Sequence, residues 1–160
     1  MKTLIAYYSK TGNTERVAKE IASRLSADIE KIIDKKNRNG IFGFIFGGRA
    51  AMNKQTTEIE TTKNPADYDL TIFGTPTWAS SMTPAIRTYI DKNKGNLKEW
   101  AFFNTSGNTE PDAMVAEIER AIGKKSVAYF GLNAEELKKE ETYNKKITAF
   151  IEAIKRSIKD

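Results

Sequence analysis

Short apolar runs alternate with stretches of helical periodicity from one end of the chain to the other. Lys2-Thr3-Leu4-Ile5-Ala6-Tyr7-Tyr8 is apolar and rich in β-formers, the pattern of a strand buried on both faces. Beyond it Val17, Ala18, Ile21, Ala22 and Leu25 recur at helical spacing, with charged residues between them. Further strands are expected over Asp28–Ile33, Tyr68–Gly74, Leu97–Asn104 and Ser126–Phe130. A helix is expected to start at Thr83 as N-cap with Pro84 in its first position, to bury Ile86, Tyr89 and Ile90, and to stop at Gly95. Another spans Pro111–Ile122, with Met114, Val115, Ile118 and Ile122 inward and Gly123 as its stop. The last carries Tyr143, Ile147, Phe150, Ile151, Ile154 and Ile158 on its buried stripe.

Strands that alternate with helices imply an α/β protein: a doubly wound five-stranded parallel sheet with right-handed crossovers and helices on both faces. In such sheets the ligand sits beyond the carboxyl ends of the strands. No repeat, linker or second domain interrupts the pattern, so residues 1–160 read as a single domain. One segment, 35–57, breaks the alternation. Lys35-Lys36-Asn37-Arg38-Asn39-Gly40 leads into Ile41-Phe42-Gly43-Phe44-Ile45-Phe46-Gly47-Gly48, and Arg49 to Thr57 follow. An apolar stretch flanked by cations either folds back over the core or a ligand edge, or lies against a membrane surface or partner.

Composition narrows the chemistry. At 160 residues the chain suits one domain with a sizeable core. It has no cysteine and no histidine, which removes disulfides, thiolate nucleophiles, cluster ligation and the commonest general base. Redox chemistry therefore needs a bound cofactor. No signal peptide and no apolar run of membrane-spanning length is visible, which reads as a cytoplasmic protein without an integral membrane segment. The net charge of +5 is uneven: residues 1–57 hold 11 Lys and Arg against 5 Asp and Glu, a balance of +6. Such a half attracts an acidic partner or is simply a solvated surface. No groove-entering motif accompanies it, so nucleic acid is not expected.

Three segments at carboxyl ends of strands carry candidate chemistry. Ser9-Lys10-Thr11-Gly12-Asn13-Thr14 joins the first strand to the first helix. A junction of this kind aims free N–H groups and a helix dipole at one point, where hydroxyl and amide side chains and Gly12 suit a phosphate dianion. The alternative is an ordinary turn in which Asn13 or Thr14 caps the helix. It is neither a Walker loop nor a dinucleotide fingerprint, for want of the required glycines. Gly74-Thr75-Pro76-Thr77-Trp78-Ala79-Ser80-Ser81-Met82 follows the third strand, and Trp78 on its tip is placed to stack on a planar ring. Thr105-Ser106-Gly107-Asn108-Thr109 follows the fourth, with small residues that permit close backbone approach.

Taken together and in this order, the three loops resemble those of the flavodoxin family, over nearly the whole chain and in its short form. The resemblance implies a sheet of order 2-1-3-4-5 and non-covalent FMN. It implies that Ser9, Lys10, Thr11, Gly12, Asn13 and Thr14 hold the phosphate. Thr75, Pro76, Thr77 and Trp78 would border the isoalloxazine, and Thr105, Ser106 and Gly107 its other side. It implies a monomeric carrier of single electrons to redox partner proteins, with no catalytic residues or metal of its own. Two features depart from the family: the third loop offers no second stacking aromatic, and flavodoxins are usually acidic where this chain has a pI near 9.3. The positive charge implies partners with acidic docking faces. The alternative on the same fold is an FMN-dependent reductase of NAD(P)H or quinones, with the 35–57 insertion building a substrate pocket and its basic residues Lys35, Lys36, Arg38 and Arg49 placed to receive a nucleotide phosphate. A cofactor-free receiver is disfavoured, because Ser9 and Lys10 stand where its acidic cluster would be.

Overall fold

The computed structural model describes residues 1–36 and 40–158. In chain order the elements are β1 (Thr3–Tyr7), α1 (Asn13–Leu25), β2 (Asp28–Lys31), β3 (Ile33–Asp34), α2 (Gly40–Met52) and β4 (Ile59–Glu60). They continue as β5 (Leu70–Trp78), β6 (Ser81–Met82), α3 (Pro84–Asn93), β7 (Glu99–Ser106), α4 (Asp112–Ile122), β8 (Tyr129–Asn133) and α5 (Glu140–Ser157). The main sheet is parallel in the order β2-β1-β5-β7-β8, which is the expected 2-1-3-4-5 arrangement once the short antiparallel strands are set aside.

Strand alternation sorts the core onto the two faces. Ile5 and Tyr7 of β1, Ile72 of β5 and Phe103 of β7 pack with Val17 and Ile21 of α1 and with Ile147, Phe150 and Ile154 of α5. Ala6, Phe73 and Phe102, one residue out of phase, pack with Ile86 and Tyr89 of α3 and Ile118 of α4. Every residue of β1 is buried, as its uninterrupted apolar run requires. Gly123 ends α4 in the left-handed conformation (φ 77°), its N–H donating to Glu119 O. Pro84 opens α3 after Thr83, but the Thr83 hydroxyl does not cap the helix.

Several boundaries differ from the sequence pattern, each for a tertiary reason. The second strand ends at Lys31 rather than Ile33, because Ile33 and Asp34 turn away to pair antiparallel with β4. The third does not stop at Gly74. Thr75, Pro76, Thr77 and Trp78 extend it, and Pro76 is accommodated opposite Thr105 of β7. A two-residue turn at Ala79 and Ser80, both at positive φ (47° and 59°), then returns the chain along β6. The fourth strand likewise runs on through Thr105 and Ser106. The fifth begins at Tyr129 rather than Ser126, although Val127 N–H already donates to Trp100 O (2.9 Å). Helix α3 ends at Asn93, and Lys94–Asn96 continue as a 3-10 turn through Gly95. Ile158 lies beyond the end of α5 and is exposed.

The inserted segment is anchored at both ends. Lys35 N–H donates to Glu58 O (3.0 Å), Thr57 Oγ1 to Asp34 Oδ1 (2.7 Å), and Thr57 N–H to Thr88 Oγ1 of α3 (2.9 Å). Asn37 to Asn39 lie outside the described residues. Helix α2 inverts the usual pattern: Gly43, Gly47, Ala50 and Ala51 are buried, while Ile45, Phe46 and Met52 are 56–61% exposed. Small residues let the helix lie close to the domain, with Ile45, Phe46 and Met52 outside.

Close approach also fixes Gly74 in β5. A Cβ there would strike the ring of Phe103 on the neighbouring strand. Gly74→Ala is therefore expected to cost about 1–3 kcal/mol by overpacking, seen as a lower urea midpoint. Phe103→Leu in the same background should return part of that loss.

Candidate functional site

Parallel pairing of β1, β5 and β7 brings the carboxyl ends of three strands side by side, and the three loops singled out in the sequence converge there. Tyr8 N–H donates to Gly74 O (3.0 Å), so the first loop leaves the sheet directly beside β5. Ser9 Oγ accepts the Gly12 N–H (3.1 Å) and curls the loop upon itself. Gly12 takes a left-handed conformation (φ 95°) as the N-cap of α1, without a side-chain cap. Neither Asn13 nor Thr14 caps the helix. Thr11, Gly12 and Asn13 are exposed at the positive end of α1, and a Cβ on Gly12 would enter open space.

Hydroxyl and amide bonds tie the loops to one another. Thr14 and Thr105, both buried, share a hydrogen bond (2.8 Å) that joins the start of α1 to the end of β7. Asn104 Nδ2 donates to Thr77 Oγ1 (2.8 Å) and to Thr109 O (3.0 Å), linking the second loop to the third. Thr75 Oγ1 shares a hydrogen bond with Thr83 Oγ1 (3.1 Å) and donates to Pro76 O (2.9 Å). Ser106 Oγ donates to Thr109 O and accepts its N–H. Thus the side chains of Thr14, Thr75 and Thr105 build the frame, whereas Thr11, Gly12, Asn13 and Gly107 form its exposed surface. Asn104 was not evident from sequence, where it reads as one more residue of a strand.

Trp78 is half-buried at the end of β5. Tyr8 stands edge-on to it (centroids 5.6 Å, planes at 88°), and Lys10 Nζ lies 5.7 Å from its ring centroid. Lys10 thus links the first loop to the second. On the flank of the hairpin a pocket of about 770 Å³ opens between Trp78 and α2, with Ile45, Arg49 and Met52 on the helical side. Residues of the insertion form one wall of it.

Charges near the cleft are largely paired. Glu15, in the first turn of α1, bonds Lys19 (2.7 Å) and Lys31 (2.8 Å), and those hydrogen bonds draw its carboxyl down to about 2. Burial, reinforced by the Glu15 charge, pushes the Tyr7 phenol up to about 12. Neither group changes its protonation near neutral pH.

No family model matches this chain. Among solved structures it is similar to a flavoprotein from Lactobacillus acidophilus in complex with FMN (24% identity, 88% of this chain and 98% of that one, TM-score 0.70). It is also similar to a WrbA-like flavodoxin from Agrobacterium tumefaciens (16%, 98% and 98%, TM-score 0.59) and to a Streptococcus flavodoxin (17%, 98% and 99%, TM-score 0.59). The chain has the flavodoxin-like fold. No helix among the described residues is long and apolar enough to cross a membrane.

Two measurements test the frame. Thr14→Val should leave the buried Thr105 hydroxyl unpaired and lower stability by about 1–3 kcal/mol, while Thr14→Val with Thr105→Val recovers part of that cost. The depressed Glu15 value adds stability that is complete above its ordinary 4.5 and is lost as pH falls toward about 2. The urea midpoint should fall across that window, and less steeply in Glu15→Gln.

Proposed function

We propose that the chain binds FMN non-covalently in the three-loop cleft and passes single electrons to redox partner proteins. The observation that carries this reading is the exposed, uncapped N-terminus of α1 behind a left-handed Gly12, tied by Thr14 and Thr105 to the neighbouring loop. The donors suit a phosphate dianion. Thr11 and Asn13 present side chains, Asn13 and Thr14 present the backbone N–H groups of the first turn, and the nearest carboxylate, Glu15, is held by two lysines. Ser9 shapes the loop, and Lys10 adds positive charge between it and Trp78. Thr75, Pro76, Thr77 and Trp78 would border the ring, with Thr105, Ser106 and Gly107 opposite.

Bound FMN supplies one- and two-electron chemistry. The chain orients it, excludes water on the Trp78 side and sets the surrounding charge. A net charge of +5 opposes negative charge on the ligand less than an acidic protein does, and favours partners with acidic faces. The pocket between Trp78 and α2 supports a second reading, a reductase that takes a small substrate beside the flavin.

Flavin fluorescence titration tests the cofactor, with FMN expected to bind at least about tenfold more tightly than riboflavin, since only FMN has a group for the cradle. Equal affinity for the two flavins, or none for either, would overturn the proposal. Stepwise anaerobic reduction then separates the roles. A long-wavelength band at half reduction supports the carrier, and direct bleaching by NAD(P)H without that band supports the reductase.

A further inference from the structure

The pocket beside Trp78 is bounded by the second half of α2 and the β5–β6 hairpin, and no described residue of 9–14 or 105–107 lines it. Its volume of about 770 Å³ falls within the range of small-molecule sites. The walls are of two kinds. Ile45, Met52 and the Trp78 indole are apolar, and a thioether beside an indole favours a flat aromatic guest. Arg49, an exposed residue, stands among them, and its guanidinium has no hydrogen-bond or ion-pair partner among the described residues.

That isolation contrasts with the cations around it. Lys35 is paired with Glu58 and Glu60, and Lys54 with Glu117. The packing of α2 explains how the wall arises. Buried Gly47, Ala50 and Ala51 bring the helix close to the domain, so Arg49 and Met52 are left on the pocket side. Gly48 also lines the pocket, and a Cβ placed on it would meet nothing within 4 Å.

We propose that this pocket is a second binding site, for a planar aromatic anion whose ring lies against Trp78 and Met52 and whose carboxylate or sulfonate pairs with Arg49. A guanidinium recognises such a group with two parallel N–H bonds, and the partly apolar surroundings strengthen them. The net charge of +5 adds long-range attraction for an anion. The site does not depend on the flavin reading, since it shares only the hairpin with the three-loop cleft.

The test uses 2-naphthoate and its neutral analogue 2-naphthylmethanol, titrated into the purified protein with and without saturating FMN. Two indole N–H resonances report the outcome. Trp78 lines the pocket, whereas Trp100 is fully buried and donates to Lys124 O (3.0 Å), which makes it an internal control. A saturable shift of Trp78 with Trp100 unmoved is expected for naphthoate. Arg49→Gln should weaken naphthoate at least about tenfold and naphthylmethanol by less than about twofold. Gly48→Leu, which fills open space, should abolish binding of both without disturbing the fold. An absent or unsaturable shift, or equal effects of Arg49→Gln on both probes, would overturn the proposal. Competitive displacement by FMN would also overturn it, by making the pocket part of the cofactor cleft. A protein that binds naphthoate as expected but takes up no FMN would refute the flavin reading and uphold this one.

Discussion

Strand β5 pairs in parallel with β1 on one side and β7 on the other, and the rest of the molecule is arranged around that double pairing. Parallel pairing places the amino ends of all three strands together, so their carboxyl ends must also share one edge. The loops after β1, β5 and β7 are then neighbours whatever their sequences. Burial on both faces holds the register, because a shift of one residue would turn Ile72 and Phe73 to the wrong helices. Gly74 is the point where the constraint is tightest, since the Phe103 ring fills the space where a Cβ would stand.

Polar residues at that shared edge do two different jobs. Buried hydroxyls and an amide, from Thr14, Thr75, Thr83, Asn104 and Thr105, bond mainly to one another and to backbone, which makes the floor of the cleft rigid. Exposed Thr11, Gly12, Asn13 and Gly107 lie above that floor and remain open to a ligand. A cleft built this way presents donors in fixed directions, so little ordering remains for binding to impose.

Charge behaves differently in space than along the chain. Residues 1–57 carry an excess of cations, yet Lys35 is met by Glu58 and Glu60 across the β3–β4 ribbon, and Lys54 by Glu117 of α4. Two cations of the basic half are thus met by acids from the remainder of the sequence, while Lys19, Arg24 and Lys31 pair with Glu15 and Glu20 of their own half. Among the described residues no acid meets the Arg49 side chain, which α2 carries to the pocket wall. The same helix reverses the expected sidedness of an amphipathic segment, with glycine and alanine inward and Ile45, Phe46 and Met52 outward.

Periodicity and turn residues alone determined the five principal strands, helices α1, α3, α4 and α5, the stop at Gly123 and the three loops that meet at the sheet edge, but not helix α2. These depend on local pattern: apolar runs, helical spacing, proline at a helix start and glycine at its end. Tertiary structure decided what depends on a partner distant in sequence. The extension of β5 through Pro76 needed β7 to receive it, and the departure of Ile33 from β2 needed β4. Nothing near Asn104 in sequence marks it as the link between Thr77 and Thr109, and nothing near Arg49 marks its place beside Trp78. A side chain's role was legible where its neighbours in sequence are its neighbours in space, and hidden where the fold supplied them.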